Sequence, residues 1–154
     1  FETLSGQKIA YEAMSMMESL NAYHGVGLAA NQVGLTHRMC AVTMDDKVWC
    51  LINPVIVDRS PIKSQYKEGC LSFPGLFLLI GRSEWIDVEF YAANGKKLTH
   101  RFTGLAATVA QHEMDHLDGI VFTDLVSSLK LDRAKQKAQN NIRRMKRAIV
   151  SVSG

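Results

Sequence analysis

The sequence predicts an α+β protein whose antiparallel sheets pack around a central helix, with a further helix at each end of the chain. Three observations carry this prediction. Alternating strand patterns separated by turn signals fill the middle of the 154 residues. Apolar residues at helical spacing fill both ends. Between them, the run Leu105–Leu117 is apolar at first and then carries the pattern His-Glu-x-x-His. We expect one domain over residues 1–154.

The composition is that of an ordinary globular protein, with 47% hydrophobic and 21% charged residues. No apolar run approaches the roughly 20 residues of a membrane span, so we expect no membrane contact. The three cysteines, Cys40, Cys50 and Cys70, are an odd number that favours a reducing compartment. We expect a bacterial-type cytoplasm, or an organelle stroma or matrix if a targeting peptide has been trimmed.

The first predicted element is a helix over residues 7–23, whose apolar stripe consists of Ile9, Ala13, Met16, Met17 and Leu20. The stretch Gly25–Gly34 follows and is rich in small residues, which let another backbone approach closely. A structural turn is one interpretation. The sharper one is a substrate-binding edge to which Gln32 supplies a side-chain amide.

Strands are predicted through the middle of the chain, over Arg38–Met44, Val48–Leu51, Val55–Val57, 76–80, Trp85–Tyr91 and a return strand carrying Leu98, His100 and Phe102. We expect a turn at Asp45-Asp46 and a hairpin turn at Asn94-Gly95. Asn53-Pro54 is expected to break its strand, and residues 58–65 are expected to form a polar loop.

The helix over Leu105–Leu117 holds the residues with the clearest chemistry. His112 and His116 are four apart, so they lie on one face and can bind one metal ion. Glu113 can then reach a metal-bound water as general base. The apolar run Leu105–Ala110 predicts burial from the first turn, and Asp118-Gly119 predicts the helix end. The alternative is a helix end that faces solvent and binds no ion.

A catalytic metal ion typically has three protein ligands, and Cys70, which lies among turn residues in Glu68–Gly75, is the candidate outside the helix. A thiolate suits Zn²⁺ or Fe²⁺, and one Cys with two His leaves a coordination position open. An inert buried thiol is the alternative.

The last predicted element is a basic amphipathic helix at about residues 128–150. Its apolar stripe consists of Leu131, Ala134, Ala138, Ile142, Met145 and Ile149. Residues 1–127 carry 10 basic and 14 acidic residues, whereas residues 128–154 carry 8 and 1. The basic face is either simply solvated or binds a polyanion such as RNA. No aromatic residue is interleaved, so sequence-specific nucleic-acid recognition is not expected.

Three stretches now stand in order: Gly25–Gln32, Glu68–Ser72 and Gln111–Leu117. Together they resemble the peptide deformylases, which remove the formyl group from nascent N-formylmethionyl chains. The resemblance covers roughly residues 1–125. It implies one divalent metal ion, usually Fe²⁺ with Zn²⁺ or Ni²⁺ in its place, and an N-formylmethionyl peptide as substrate. It also implies that a basic C-terminal helix can contact the ribosome.

The resemblance assigns roles residue by residue. It makes Cys70, His112 and His116 the metal ligands and Glu113 the acid/base, with hydroxide at the ion attacking the formyl carbon. It makes the Gln32 amide and the Leu71 N–H the oxyanion donors. The positions that line the peptide and the methionine pocket are Val26, Gly27, Gly69, Leu105 and Val109. Phe73-Pro74-Gly75 looks like the type-1B subgroup, and Phe77 stands where many members have Arg.

Two alternative functions fit the sequence less well. A zinc peptidase would take a third His or Glu ligand downstream of the helix, and neither residue type follows His116. A small RNA- or ribosome-binding protein with a structural metal would need a fourth ligand. His24, His37 and His100 all lie outside the three stretches.

Overall fold

The computed structural model describes residues 4–152, and it describes side chains from residue 6 to residue 147. The fold is α+β, as predicted. The helices are α1 (Leu4–Ala22), α2 (Gly104–Leu117) and α3 (Ser128–Val152), and the strands are β1 (Gly27–Ala29), β2 (Met39–Met44), β3 (Lys47–Arg59), β4 (Lys63–Cys70), β5 (Phe73–Ser83), β6 (Trp85–Tyr91) and β7 (Lys97–Thr103).

The chain forms two compact units. The first comprises Phe1–Ser64 and Gly81–Val121, and the second comprises Gln65–Ile80 and Phe122–Gly154. The expectation of one domain over residues 1–154 stays a prediction.

A five-stranded antiparallel sheet in the order β1-β2-β3-β6-β7 is the framework of the first unit. Successive residues of β2 enter different clusters. Met39 and Ala41 pack with the α1 residues Ala13, Met16 and Leu20, whereas Cys40 and Val42 pack with residues of α2. Because side chains alternate along a strand, the two helices cover opposite faces of the sheet. The predicted stripe of α1 is confirmed at its buried centre.

The β6–β7 hairpin is confirmed, and its strands pair antiparallel with Phe90 opposite Leu98 and Val88 opposite His100. Ile86, Val88 and Phe90 are at most 1% exposed, and Gly95 adopts φ 80° in the turn. The Asp45-Asp46 turn is also confirmed, because both residues have positive φ between β2 and β3. These turns were predictable because short polar side chains and glycine tolerate that conformation.

Two predictions about the middle of the chain are wrong. Strand β3 does not break at Asn53-Pro54 but continues to Arg59. The pairing of β3 with β6 shifts register between Ile52 and Val55, and Asn53 takes φ 51°. This irregularity accommodates a proline, which has no N–H to give to the ladder. The predicted loop over residues 58–65 is also too long, because β3 runs to Arg59 and β4 begins at Lys63, which leaves only residues 60–62 between the strands.

The second unit contains most of the β4–β5 sheet and all of α3. Strand β5 is longer than predicted. Its inward residues Leu76, Leu78 and Ile80 pack with Phe122, and Leu131 and Ala134 of α3 join them. Farther along α3, Ile142 and Met145 are 45% and 67% exposed, and the side chain of Ile149 lies outside the described residues.

None of the described helices combines the length and apolar character that crossing a bilayer requires.

Candidate active site

Helix α2 carries the His-Glu-x-x-His pattern into the interior of the first unit. Residues from Ala107 to Met114, and His116, are buried. Leu105 is 65% exposed, so the prediction of burial from the first turn is wrong for that residue. Burial requires a covering element, and the cluster beneath the sheet includes α2 residues only from Ala106 onward.

The end of α2 fixes the backbone at His116. Gly119 has φ 75°, its N–H donates to the His116 carbonyl at 3.1 Å, and the Ile120 N–H donates to the Asp115 carbonyl at 2.9 Å. This is the hydrogen-bond pattern of a Schellman motif. The Asn31 side chain also donates to the His116 carbonyl at 2.5 Å. The predicted stop at Asp118-Gly119 is confirmed.

The two imidazoles lie on one face of α2, with ring centroids 4.8 Å apart. His112 is 8% exposed and His116 is 5% exposed. The sulfur of Cys70 joins them, and the three potential ligand atoms all lie within 4.8 Å of one another. One thiolate and two imidazoles are a donor set that Zn²⁺ and Fe²⁺ accept, and three ligands leave a position open. The residues present therefore fit a divalent metal ion.

Glu113 lies against the backbone of Gly27 in β1. A Cβ atom built on Gly27 would stand 2.3 Å from Oε1 of Glu113 and 2.6 Å from Cγ1 of Val109. Any side chain at position 27 would therefore force atoms to move. The glycine-rich stretch brings a backbone directly to the catalytic candidate, which is the close approach that its small residues predict.

Of the two candidate oxyanion donors, Gln32 lies in a short 3₁₀ helix over Ala30–Val33 and Leu71 lies in a turn. The Oε1 atom of Gln32 accepts a hydrogen bond from the Ala29 N–H at 2.8 Å. Because the amide oxygen is engaged there, the donor role falls to the NH₂ group. Leu71 follows Cys70 directly between β4 and β5, and its side chain is 53% exposed.

The other predicted substrate residues differ in their surroundings. Val26 is 52% exposed and Val109 only 7% exposed. A Cβ built on Gly69 would stand 2.7 Å from the Phe77 ring. The Nζ atom of Lys67 lies 4.9 Å from the centroid of the same ring. Phe77 thus covers the β4 backbone at Gly69.

The thiols of Cys40 and Cys50 are buried and have raised pKa values. Burial raises the pKa of Cys50 to about 12. Burial, and then the negative charge of Glu113, raise the pKa of Cys40 well above its usual value. Both groups therefore stay protonated near neutral pH, where a thiol is a poor ligand and nucleophile.

Sequence reasoning missed two contacts that hold α2. The Gln111 side chain accepts from the Ser83 N–H at 3.1 Å and donates to the Ser83 carbonyl at 3.0 Å. Nη1 of Arg82 contacts Oδ2 of Asp115 at 2.5 Å. The partners are 28 and 33 positions apart, and no local pattern pairs them.

The chain is similar in sequence to known proteins of one family. The family model described as polypeptide deformylase matches residues 1–132. A peptide deformylase of Pelagibacter ubique is 42% identical over 120 residues, covering 75% of this chain and 70% of the relative. One from a Thermotoga species is 38% identical over 132 residues, covering 86% of this chain and 80% of the relative.

Solved structures give the same result. The crystal structure of peptide deformylase from Ehrlichia chaffeensis has a TM-score of 0.76 and 38% identity, covering 89% of this chain and 84% of the other. That of a peptide deformylase from Synechococcus elongatus in complex with actinonin has a TM-score of 0.75 and 37% identity, covering 80% of this chain and 69% of the other.

Proposed function

The chain belongs to the polypeptide deformylase family of enzymes, and we propose that it hydrolyses the N-formyl group of N-formylmethionyl peptides with the residues described above. The products are formate and a free methionyl amine. The observation that carries this proposal is the convergence of one sulfur and two imidazoles, whose potential ligand atoms lie within 4.8 Å of one another.

We assign Cys70, His112 and His116 as ligands of one divalent ion, Fe²⁺ in the native enzyme, with Zn²⁺ or Ni²⁺ able to replace it. When bound, such an ion lowers the pKa of water and polarises a carbonyl group. His112 and His116 supply imidazole nitrogens from adjacent turns of one helix. The described part of the chain also holds buried thiols, and the raised pKa values of Cys40 and Cys50 disfavour them as ligands.

Glu113 is the acid/base in this proposal. It follows the first histidine ligand directly, and it is only 5% exposed. Its carboxylate accepts the proton that the attacking water loses. It then delivers that proton to the amine nitrogen as the bond from that nitrogen to the formyl carbon breaks. Glu113 thus both accepts and returns the same proton, and its carboxylate packs against the backbone of Gly27.

Two donors stabilise the oxygen that gains negative charge during the attack. We assign them as the NH₂ group of Gln32 and the backbone N–H of Leu71. The Ala29 N–H holds the Gln32 amide by its oxygen, so its donor end is oriented before substrate arrives. A preoriented donor costs no reorganisation at the moment of reaction.

Selectivity rests on size and on an apolar pocket. The formyl carbon bears only hydrogen beside its oxygen and nitrogen, so a tight site excludes larger acyl groups by shape. We assign Val26, Gly27, Gly69, Leu105 and Val109 to the walls that receive the peptide and its methionine. In support of this assignment, the Gly27 backbone lies close to both the Val109 side chain and the Glu113 carboxylate.

Formate release tests this function directly. The metal-loaded protein is given a formyl-Met tripeptide, with the acetyl-Met tripeptide as matched control, and the metal content is measured alongside. We expect formate from the first peptide and negligible acetate from the second. Release of neither acid by protein with one bound ion per chain would contradict the proposal. Cleavage of an internal peptide bond instead would support the zinc peptidase.

We also propose that α3 binds an anionic surface, with the ribosome as partner. All eight basic side chains of α3 are exposed, namely Lys130, Arg133, Lys135, Lys137, Arg143, Arg144, Lys146 and Arg147. Counterion release by such a set gives affinity without sequence preference. Most of α3 lies beyond the residues that the family model matches, and this proposal does not rest on the hydrolytic site.

A further inference from the structure

We propose that Arg82 and Ser83 form a clamp that sets the rotation of α2 about its axis, and so aims His112 and His116 at the metal ion. The inference rests on the metal site of the proposed function. It assigns a positioning role to four residues, Arg82, Ser83, Gln111 and Asp115, none of which belongs to the predicted ligand set.

The first half of the clamp is an amide that pairs with a backbone. Gln111 is 7% exposed and Ser83 is 2% exposed. The Gln111 side chain exchanges two hydrogen bonds with the N–H and carbonyl of Ser83, and its NH₂ group also donates to the Ala107 carbonyl at 3.0 Å. The contact ties the end of β5 to the middle of α2. Because all these groups are buried, breaking the contact leaves polar atoms without water to replace it.

The second half is an ion pair one residue earlier on β5 and one turn later on α2. The side chain of Arg82 is 7% exposed, and that of Asp115 is 25% exposed. Their closest atoms, Nη1 and Oδ2, are 2.5 Å apart. The donor directions of a planar guanidinium are fixed, whereas an ammonium group rotates freely. The contact from Nη1 to Oδ2 therefore restricts direction as well as distance.

The spacing of the contacts matches the spacing of the histidines. Gln111 directly precedes His112, and Asp115 directly precedes His116. The clamp thus grips α2 at the same two turns that carry the imidazoles. A single contact would let α2 pivot about it, whereas two contacts a full turn apart oppose both rotation and tilt of the helix.

The required precision is high. A ring at roughly 6 Å from the helix axis moves by about 1 Å when the helix rotates by about 10°. Productive metal geometry tolerates roughly 0.5 Å. A loosened clamp therefore weakens ion binding even when the helix remains folded.

The chain offers a matched control in a second ion pair on the same helix end. Nη1 of Arg38 and Oδ1 of Asp118 are 2.6 Å apart, with side chains 37% and 52% exposed. Asp118 caps α2 beyond the last histidine. This pair has the same chemistry, a similar distance and the same helix, but it does not adjoin a ligand.

The experiment measures the Zn²⁺ dissociation constant by competition with a chelator. The clamp variants are Arg82→Lys, Asp115→Asn and Gln111→Met, and the controls are Arg38→Lys and Asp118→Asn. Near-ultraviolet circular dichroism at the working temperature confirms that each variant is folded. We expect the clamp variants to bind Zn²⁺ about tenfold more weakly, the lower end of the range for outer-shell partners of metal ligands. The controls should change by less than about twofold.

The outcomes separate the clamp from the metal site. Folded clamp variants with an unchanged dissociation constant and only a lower melting temperature would overturn the positioning role, because that result indicates stabilisation alone. Control variants that bind Zn²⁺ as weakly as the clamp variants would also overturn it. A wild-type protein that binds no Zn²⁺ would instead remove the metal site itself, and the clamp with it. Arg82→Lys keeps the positive charge, so we expect it to be the clamp variant that perturbs folding least.

Discussion

The carboxylate of Glu113 and the backbone of Gly27 are so close that a single methyl group does not fit between them. A Cβ atom at Gly27 would lie 2.3 Å from Oε1 and 2.9 Å from Cδ of Glu113. The glycine-rich strand thereby holds the acid/base from the side opposite its own helix. This contact joins the first and third of the stretches that carry the family resemblance.

Gly27→Ala is expected to displace the Glu113 carboxylate and lower kcat. We expect a loss of about tenfold to a hundredfold, because a catalytic group moved by about 1 Å loses its alignment. Steady-state kinetics with the formyl-Met peptide measures it. The matched control is the same change in a Glu113→Ala background, where Gly27→Ala should have little further effect. Additive losses in the double variant would show that Gly27 acts without Glu113.

Glu113→Ala is expected to keep the metal ion and lose turnover. General acid/base catalysis contributes typically 10²–10⁴-fold, so we expect a loss of at least this order. Metal analysis and formate release on the same preparation measure the two effects. Turnover within tenfold of wild type at equal metal content would remove Glu113 from the mechanism.

Thiol alkylation should distinguish Cys70 from the other two cysteines. Burial raises the pKa of Cys50 to about 12 and that of Cys40 well above its usual value. A raised pKa means less thiolate at a given pH, so both should be unreactive at pH 8 in the folded protein. In metal-free protein the label should appear on Cys70, and added Zn²⁺ should protect it. Urea should expose all three. Rapid labelling of Cys40 in the folded protein would contradict this account.

The same raised pKa predicts a loss of stability in alkali. The Cys50 thiol ionises near its ordinary value in the unfolded chain but only near 12 when folded. Between about pH 9 and pH 12 the unfolded state therefore binds fewer protons, and the free energy of unfolding falls as pH rises. Denaturant titrations should show a shallower fall for Cys50→Ala than for wild type. Equal slopes would show that Cys50 does not supply this linkage.

Neutralising α3 should separate ribosome binding from catalysis. Changing Lys135, Lys137, Arg143 and Arg144 to Gln leaves the packed residues Leu131 and Ala134 untouched. Co-sedimentation with ribosomes at low salt should fall at least tenfold, with a weaker salt dependence, while hydrolysis of a short formyl-Met peptide stays within twofold. Replacing four exposed uncharged residues of α3 is the control. Undiminished co-sedimentation would end the polyanion role of α3.

Local patterns predicted the elements whose determinants are local. Ile86, Val88 and Phe90 alternate in a strand, Asn94-Gly95 makes its turn, and Gly119 ends α2. The course of β3 through Asn53-Pro54 was not predictable, because a register shift against β6 accommodates the proline and that shift involves residues more than 30 positions away. The contacts of Arg82 and Gln111 could not be predicted either, because their partners are 33 and 28 positions away in the chain. Cys70 was predicted as the third ligand from the chemistry of its thiol and from the family resemblance, because no periodicity links it to the histidines.

Absorption of the Co²⁺-substituted protein tests the central assignment most directly, because a thiolate bound to Co²⁺ gives a near-ultraviolet charge-transfer band that imidazole and carboxylate ligands do not. We predict one Co²⁺ per chain with this band in wild type, its loss in Cys70→Ser, and its retention in Cys50→Ala. A wild-type spectrum without the band at full Co²⁺ loading, or a band that survives in Cys70→Ser, would contradict a metal centre built from Cys70, His112 and His116.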